Sequence, residues 1–176
     1  CDAGRDVTAS GADAADDGVG CTVGVYVDTA GATAETDCIP CAAGSITDTG
    51  TSAGARTCTA CDAGKYSTAS NVASCTDCGA GKYVAASGSD AAADCIGCPV
   101  GEYVGATGST AETDCITCAA GSITDTGGSM GATSCDQCAA GTYSTASSID
   151  ACNPCEAGKY ADGPGHTACS DCDIGK

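Results

Sequence analysis

Eight Cys-x-x-Cys pairs, spaced almost evenly, constrain this chain more than any other feature. They are Cys38/Cys41, Cys58/Cys61, Cys75/Cys78, Cys95/Cys98, Cys115/Cys118, Cys135/Cys138, Cys152/Cys155 and Cys169/Cys172. From the second Cys of one pair to the first of the next, the step is 17 or 14 residues. The chain holds 18 Cys in 176 residues, the density of a disulfide scaffold. It has no Phe, no Trp and one Met, so large apolar side chains cannot fill a conventional core. Stability must come from cross-links.

The pairs punctuate a repeat. Three residues after each opening Cys stands a Gly, from Gly4 and Gly24 through Gly101 to Gly158 and Gly175. A Gly at one fixed offset meets a backbone need such as a positive φ or a close chain approach. Two residues further on come Tyr26, Tyr66, Tyr83, Tyr103, Tyr143 and Tyr160, with Ile46 and Ile123 as aliphatic substitutes. This position reads as the apolar plug of each repeat, packed on the disulfides. A longer period lies above the short one. Shifting the sequence by 77 residues superposes Cys21–Asp77 on Cys98–Pro154 with 36 of 57 positions identical. The domain organisation follows: residues 1–20 form a degenerate N-terminal unit and 21–77 three cysteine-rich units. Residues 78–154 form four units, a second super-repeat, and 155–176 hold one unit plus the start of a truncated one. The first unit is degenerate because Gly18 stands where a closing Cys belongs and Asp6 replaces the plug.

The fold class is a small disulfide-rich repeat, poor in β-structure and mostly loops with short β-hairpins. Runs such as Lys82-Tyr83-Val84 suit strands of two or three residues, and no helical period appears. Stacked in single file, units of 17–20 residues would make an elongated solenoid or rod. Solution scattering should then give a monomer radius of gyration well above the roughly 16 Å of a compact chain this long. A compact value would remove the solenoid reading.

Three chemistries compete for the cysteines. In a ladder, each opening Cys bonds the next closing Cys: Cys21–Cys38, Cys41–Cys58, Cys61–Cys75, Cys78–Cys95, Cys98–Cys115, Cys118–Cys135, Cys138–Cys152 and Cys155–Cys169. A crossed arrangement, Cys1–Cys21, Cys38–Cys58, Cys41–Cys61 and onward, uses every cysteine. The third is zinc, because C-x2-C-x16-C-x2-C lies in the zinc-ribbon range. Against zinc stand the unbroken run of pairs, the two alternating spacings and the single histidine, His166. Connectivity does not follow from sequence alone.

The order C-x-x-G-x-Y, loop, C-x-x-C resembles the cysteine-rich modules of the tumour-necrosis-factor-receptor-like and growth-factor-receptor-like superfamily. The Ala/Thr/Gly/Ser-rich tandem form is also similar to the surface immobilisation antigens of ciliates. The resemblance runs from Cys21 to Cys172. It implies that the Cys before G-x-Y closes onto the next Cys, hence the ladder for Cys98–Cys115 and its equivalents. That pairing leaves Cys1 and Cys172 over, each expected to bond another subunit or a continuing chain.

The net charge of −17 excludes nucleic acid and anionic membrane surfaces as partners. No apolar run long enough to span a membrane is present, so no membrane insertion is expected of this segment. Abundant cysteine places the chain in an oxidising compartment, extracellular or at the cell surface. No N-x-[ST] sequon occurs, while the Ser/Thr-rich loops leave O-glycans open. Nearly featureless loops, repeated every 77 residues, favour a structural protein of a cell-surface coat or filament that assembles with itself, head to tail. The alternative is a receptor or adhesion ectodomain for a protein or glycan ligand. Its candidate anchors, Arg5, Arg56, Met130 and His166, are scattered in sequence. No catalytic set can be assembled around one histidine, so neither an enzyme nor a cofactor or metal site is expected. The acids before closing cysteines (Asp37, Asp94, Asp114, with Glu35 and Glu112) read as solvated loop charge rather than as a calcium site.

Overall fold

A computed structural model describes residues 5–6, 19–28, 35–69, 72–145 and 151–173. Every repeat forms a two-stranded antiparallel hairpin of two or three residues per strand, and no α-helix occurs among the described residues. Register is constant. The residues four and five after the opening Cys pair with those two and one after the closing Cys. In the Cys98 repeat, Glu102 faces Thr117 and Tyr103 faces Ile116. The Cys21, Cys61, Cys78, Cys138 and Cys155 repeats follow the same register. The hairpin persists even in the first unit, where Arg5 faces Gly20 and Asp6 faces Val19. Position 18 there carries Gly instead of Cys, so the turn-back does not depend on a closing cysteine. Cys1 and Gly18 themselves lie outside the described residues.

Two repeats depart from the two-pair hairpin. In the Cys41 and Cys118 repeats the sequence Ser-Ile-Thr adds a third pair, Thr47 with Cys58 and Thr124 with Cys135. The Thr hydroxyls then donate to the carbonyls of Gly50 and Gly127, closing the turn. Elsewhere the longer loops hold a single turn of 3-10 helix: Glu35–Asp37, Ala92–Asp94 and Glu112–Asp114.

The backbone clusters into two compact bodies. One comprises Cys1–Asp77 with Ala86–Asp94, the other Cys78–Ala85 with Cys95–Lys176. Within each, neighbouring repeats are joined through backbone atoms. In the first body the carbonyl of Cys21 accepts from Gly54, and the N–H of Val27 donates to Ala55. Gly88 donates to Cys61, and Ser67 donates to Ser89. In the second body the same two bonds link Cys78 and Val84 to Gly108 and Ser109, and Cys98 and Val104 to Gly131 and Ala132. They recur between Cys138, Ser144, Gly165 and His166. The loop of one repeat thus lies against the start of the preceding one, partly as a parallel bridge.

What is buried is a narrow file rather than a broad core. The opening cysteines from Cys21 to Cys138 are almost fully enclosed, whereas most closing cysteines are half-buried. The enclosed side chain beside them is not the tyrosine but the residue after it: Val27, Thr47, Ser67, Val84, Val104, Thr124, Ser144 and Ala161. The apolar plug expected at the tyrosine position is therefore one residue late. Adjacent side chains in a strand point to opposite faces. The inner face meets the neighbouring repeat at backbone-contact distance, which admits Val, Thr, Ser or Ala but no ring. The tyrosines lie on the outer face, half-buried, with Tyr160 more exposed still at 47%.

Candidate functional site

Eight disulfides join Cys21–Cys38, Cys41–Cys58, Cys61–Cys75, Cys78–Cys95, Cys98–Cys115, Cys118–Cys135, Cys138–Cys152 and Cys155–Cys169. This is the ladder, and neither the crossed pairing nor a zinc cluster occurs among the described cysteines. The two members of each Cys-x-x-Cys pair enter different bonds. Their sulfurs therefore face successive repeats instead of converging on one point. Cys172 carries a free, exposed thiol. Its backbone is set as an opening cysteine, because its N–H donates to Gly158 O at 2.8 Å just as Cys118 N–H donates to Gly101 O at 3.0 Å.

The loop acids have a structural task that the reading as solvated charge misses. Asp114 accepts from the backbone N–H groups of Thr110 (2.8 Å) and Ala111 (3.1 Å). Asp94 does the same for Asp90 and Ala91, at 3.0 Å each. Each carboxylate satisfies the free donors at the start of its 3-10 turn, as a helix cap does, and fixes the loop just before its closing Cys. Nothing in their spacing announced this. The signal was the residue type, an Asp one place before the closing Cys of the loops that carry these turns.

A second staple sits in the long hairpins. Asp48 accepts from Arg56 N–H and the Thr57 hydroxyl, both at 3.2 Å. Its equivalent Asp125 accepts from Thr133 N–H (3.1 Å), the Thr133 hydroxyl (2.6 Å) and the Ser134 hydroxyl (3.3 Å). The Thr133 hydroxyl outweighs the opposing desolvation and, with the Thr133 backbone and Ser134 bonds, holds the Asp125 carboxyl below its ordinary range. A depressed carboxylate stabilises the folded state above its unfolded pKa, about 3.9. That contribution is lost as pH falls through the lower folded value. Carbon-detected NMR should find Asp125 titrating below the ordinary carboxylate range, and Thr133→Val should return it toward that range. An unshifted Asp125 would remove the staple.

The described anchors each have their own local surroundings. Arg56 belongs to the first body, and its backbone N–H serves the Asp48 staple. Met130, 57% exposed, lies beside Gly97 in the second body. His166 Nε2 is 2.9 Å from Asp162, four residues earlier, and its carbonyl serves the joint with Ser144. The Arg5 side chain lies outside what is described. Among the described residues no three His, Cys, Asp or Glu side chains converge as a metal ion requires.

The outer hairpin faces are more distinctive. Tyr26 faces Ile39, Tyr83 faces Ile96 and Tyr103 faces Ile116 across the two strands. These isoleucines are 42%, 49% and 55% exposed. Tyr83 also reaches forward, its hydroxyl 3.5 Å from the Glu112 carboxylate in the next repeat. Beside these stand cross-strand ion pairs, Lys65 with Asp77 and Lys159 with Asp171 at 3.0 Å.

Residues 49–95 match the family described as tyrosine-protein kinase ephrin type A/B receptor-like. The stretch runs from the loop of the Cys41 repeat to the closing Cys95, so it contains two complete disulfides, Cys61–Cys75 and Cys78–Cys95. No curated protein matches the chain significantly. Among the described residues no helix is long and apolar enough to cross a membrane. Serial disulfides and a receptor-like module fit a secreted or cell-surface protein. The chain is a cysteine-rich tandem-repeat protein that resembles receptor cysteine-rich modules.

Proposed function

We propose that this is a structural extracellular protein, a subunit of a cell-surface coat or filament that assembles head to tail, and not an enzyme. The observation that carries the reading is the joint between repeats. It is made by a Gly N–H, the carbonyl of the residue after that Gly and two backbone groups of the preceding repeat, and it recurs in both bodies. A joint built from backbone atoms needs no special side chain, so chains can make the contact that repeats make. Open heterologous contacts of this kind generate fibres. Electron microscopy of native material, with a non-reducing gel, tests the reading. Ordered filaments or sheets support it. Dispersed particles in which Cys1 and Cys172 are free or internally paired refute it.

A second reading, an adhesion or receptor ectodomain, is favoured by the similarity of residues 49–95 to the ephrin-receptor-like family. The exposed Tyr–Ile faces and the Lys–Asp pairs are the surfaces such a role would use. Saturable binding of a dispersed chain to a protein or glycan supports this reading. Its absence, alongside ordered assembly, returns the first.

A further inference from the structure

Among the described residues the same cleft occurs at two equivalent places. One, in the first body, is lined by Ile46, Asp62, Lys65 and Cys75. The other, in the second body, is lined by Tyr143, Glu156, Lys159 and Cys169. These are equivalent positions. Ile46 and Tyr143 are the outer-face residues of the preceding repeat. Asp62 and Glu156 follow the opening Cys, Lys65 and Lys159 begin the hairpin, and Cys75 and Cys169 are the closing cysteines. Each cleft has a volume of about 260 Å³.

The sequence explains why the cleft is open at these repeats. Both have the short disulfide separation of 14 residues instead of 17. In the longer Cys98 repeat, the loop brings Glu112 to the hydroxyl of Tyr83, the outer-face residue of the repeat before it. Dropping three loop residues removes the part of the chain that makes this contact. The third short repeat, opened by Cys138, has Ala139 and Thr142 where the acid and the lysine would be, so it lacks the polar set.

Each cleft sets an ammonium and carboxylates beside an apolar wall. The lysine is held by its cross-strand aspartate, Asp77 or Asp171, and retains further N–H donors. Asp62 or Glu156 supplies an additional acceptor. Lysine and cross-strand aspartate offset each other, so one negative charge remains per cleft, on a chain of net charge −17. An anionic ligand is repelled. A neutral ring bearing adjacent hydroxyls matches donors and acceptors together, and its C–H face suits Ile46 or Tyr143. The volume lies just below the roughly 300–1,000 Å³ of drug-sized sites, room for one ring rather than a chain.

From this we infer that the two clefts are monosaccharide subsites, each taking one neutral pyranose residue of a glycan. The inference rests on the adhesion reading and gives it a ligand class. The test uses the full, oxidised, isotope-labelled chain, titrated to millimolar concentrations with the methyl glycosides of glucose, galactose, mannose and N-acetylglucosamine. At least one glycoside should give saturable amide shifts at Ile46 and Lys65 and at Tyr143 and Lys159, with millimolar affinity. Lys65→Met should weaken the first site at least about tenfold and leave the second intact, and Lys159→Met the reverse. The surviving site shows that each variant is folded. Absence of saturable shifts, or shifts that persist in both variants, overturns the inference. So does a response to butylammonium where the glycosides give none. Saturable shifts elsewhere overturn the clefts but leave the adhesion reading standing, whereas no binding of any glycan or protein removes both.

Discussion

Replacing Cys98 and Cys115 together by Ala should lower stability by about 3 kcal/mol, the chain-entropy value for closing a loop of this length. The two residues are 17 apart in sequence. Cys98 is fully buried, so the missing sulfur also leaves a void. The loss should be local, because a repeat is joined to the next one and, at its Gly after the opening Cys, to the one after that. The carbonyl of Cys98 accepts from Gly131, and Val104 donates to Ala132. Hydrogen exchange should therefore show Gly131 and Val104 losing protection before amides of the first body do. Replacing Cys155 and Cys169 should be milder, since Cys155 is only half-buried and its loop is shorter. Complete reduction should unfold the chain outright. Eight cross-links at about 3 kcal/mol each exceed the whole stability of an ordinary domain, roughly 5–15 kcal/mol. An unchanged urea midpoint for the double variant, or recovery of a Cys38–Cys58 peptide under non-reducing conditions, would contradict the ladder.

The hairpins and their disulfides were legible because both follow fixed offsets. Gly after the opening Cys, a strand at the next two positions and a Cys-x-x-Cys exit repeat with little change. The enclosed residue was misplaced by one position because the tyrosines draw the eye. Tyrosine is the largest side chain here, but a gap bounded by a neighbour's backbone selects for smallness. The joints were hidden for another reason. Their dipeptides, a Gly followed by Ala, Ser or His, lie in loops that look featureless, and their offsets vary. Gly88 and Gly108 come ten residues after Cys78 and Cys98, but Gly54 and Gly131 come thirteen after Cys41 and Cys118. The extra residues feed the longer Ser-Ile-Thr hairpins. No single offset captures the whole pattern. The clefts depend on a deletion, and what a missing triplet uncovers becomes visible only against a neighbour whose loop is complete.

The glycines three residues after the opening cysteines separate two kinds of constraint, and one pair of substitutions measures both. Gly81 and Gly141 share a positive φ, +80° and +79°. Any L-residue there incurs about 1–2 kcal/mol of backbone strain. At Gly141 a Cβ would meet nothing within 4 Å, so Gly141→Ala should lose that amount and no more. At Gly81 the same Cβ would overlap the carbonyl oxygen of Gly131 and come 3.1 Å from that of Ala132. Neither can retreat cheaply. Gly131 donates its N–H to Cys98, and the Ala132 carbonyl accepts from Val104. Forcing this contact adds the roughly 1–3 kcal/mol typical of overpacking. Gly81→Ala should then destabilise by roughly 2–5 kcal/mol in total, and it should loosen the 129–134 loop, two repeats ahead in sequence. Urea unfolding gives the energies, and exchange at Gly131 and Val104 reports the loop. Equal losses for the two variants, with Gly131 still protected in Gly81→Ala, would mean that the loop does not pack on Gly81 and that the joint is not what excludes a side chain there.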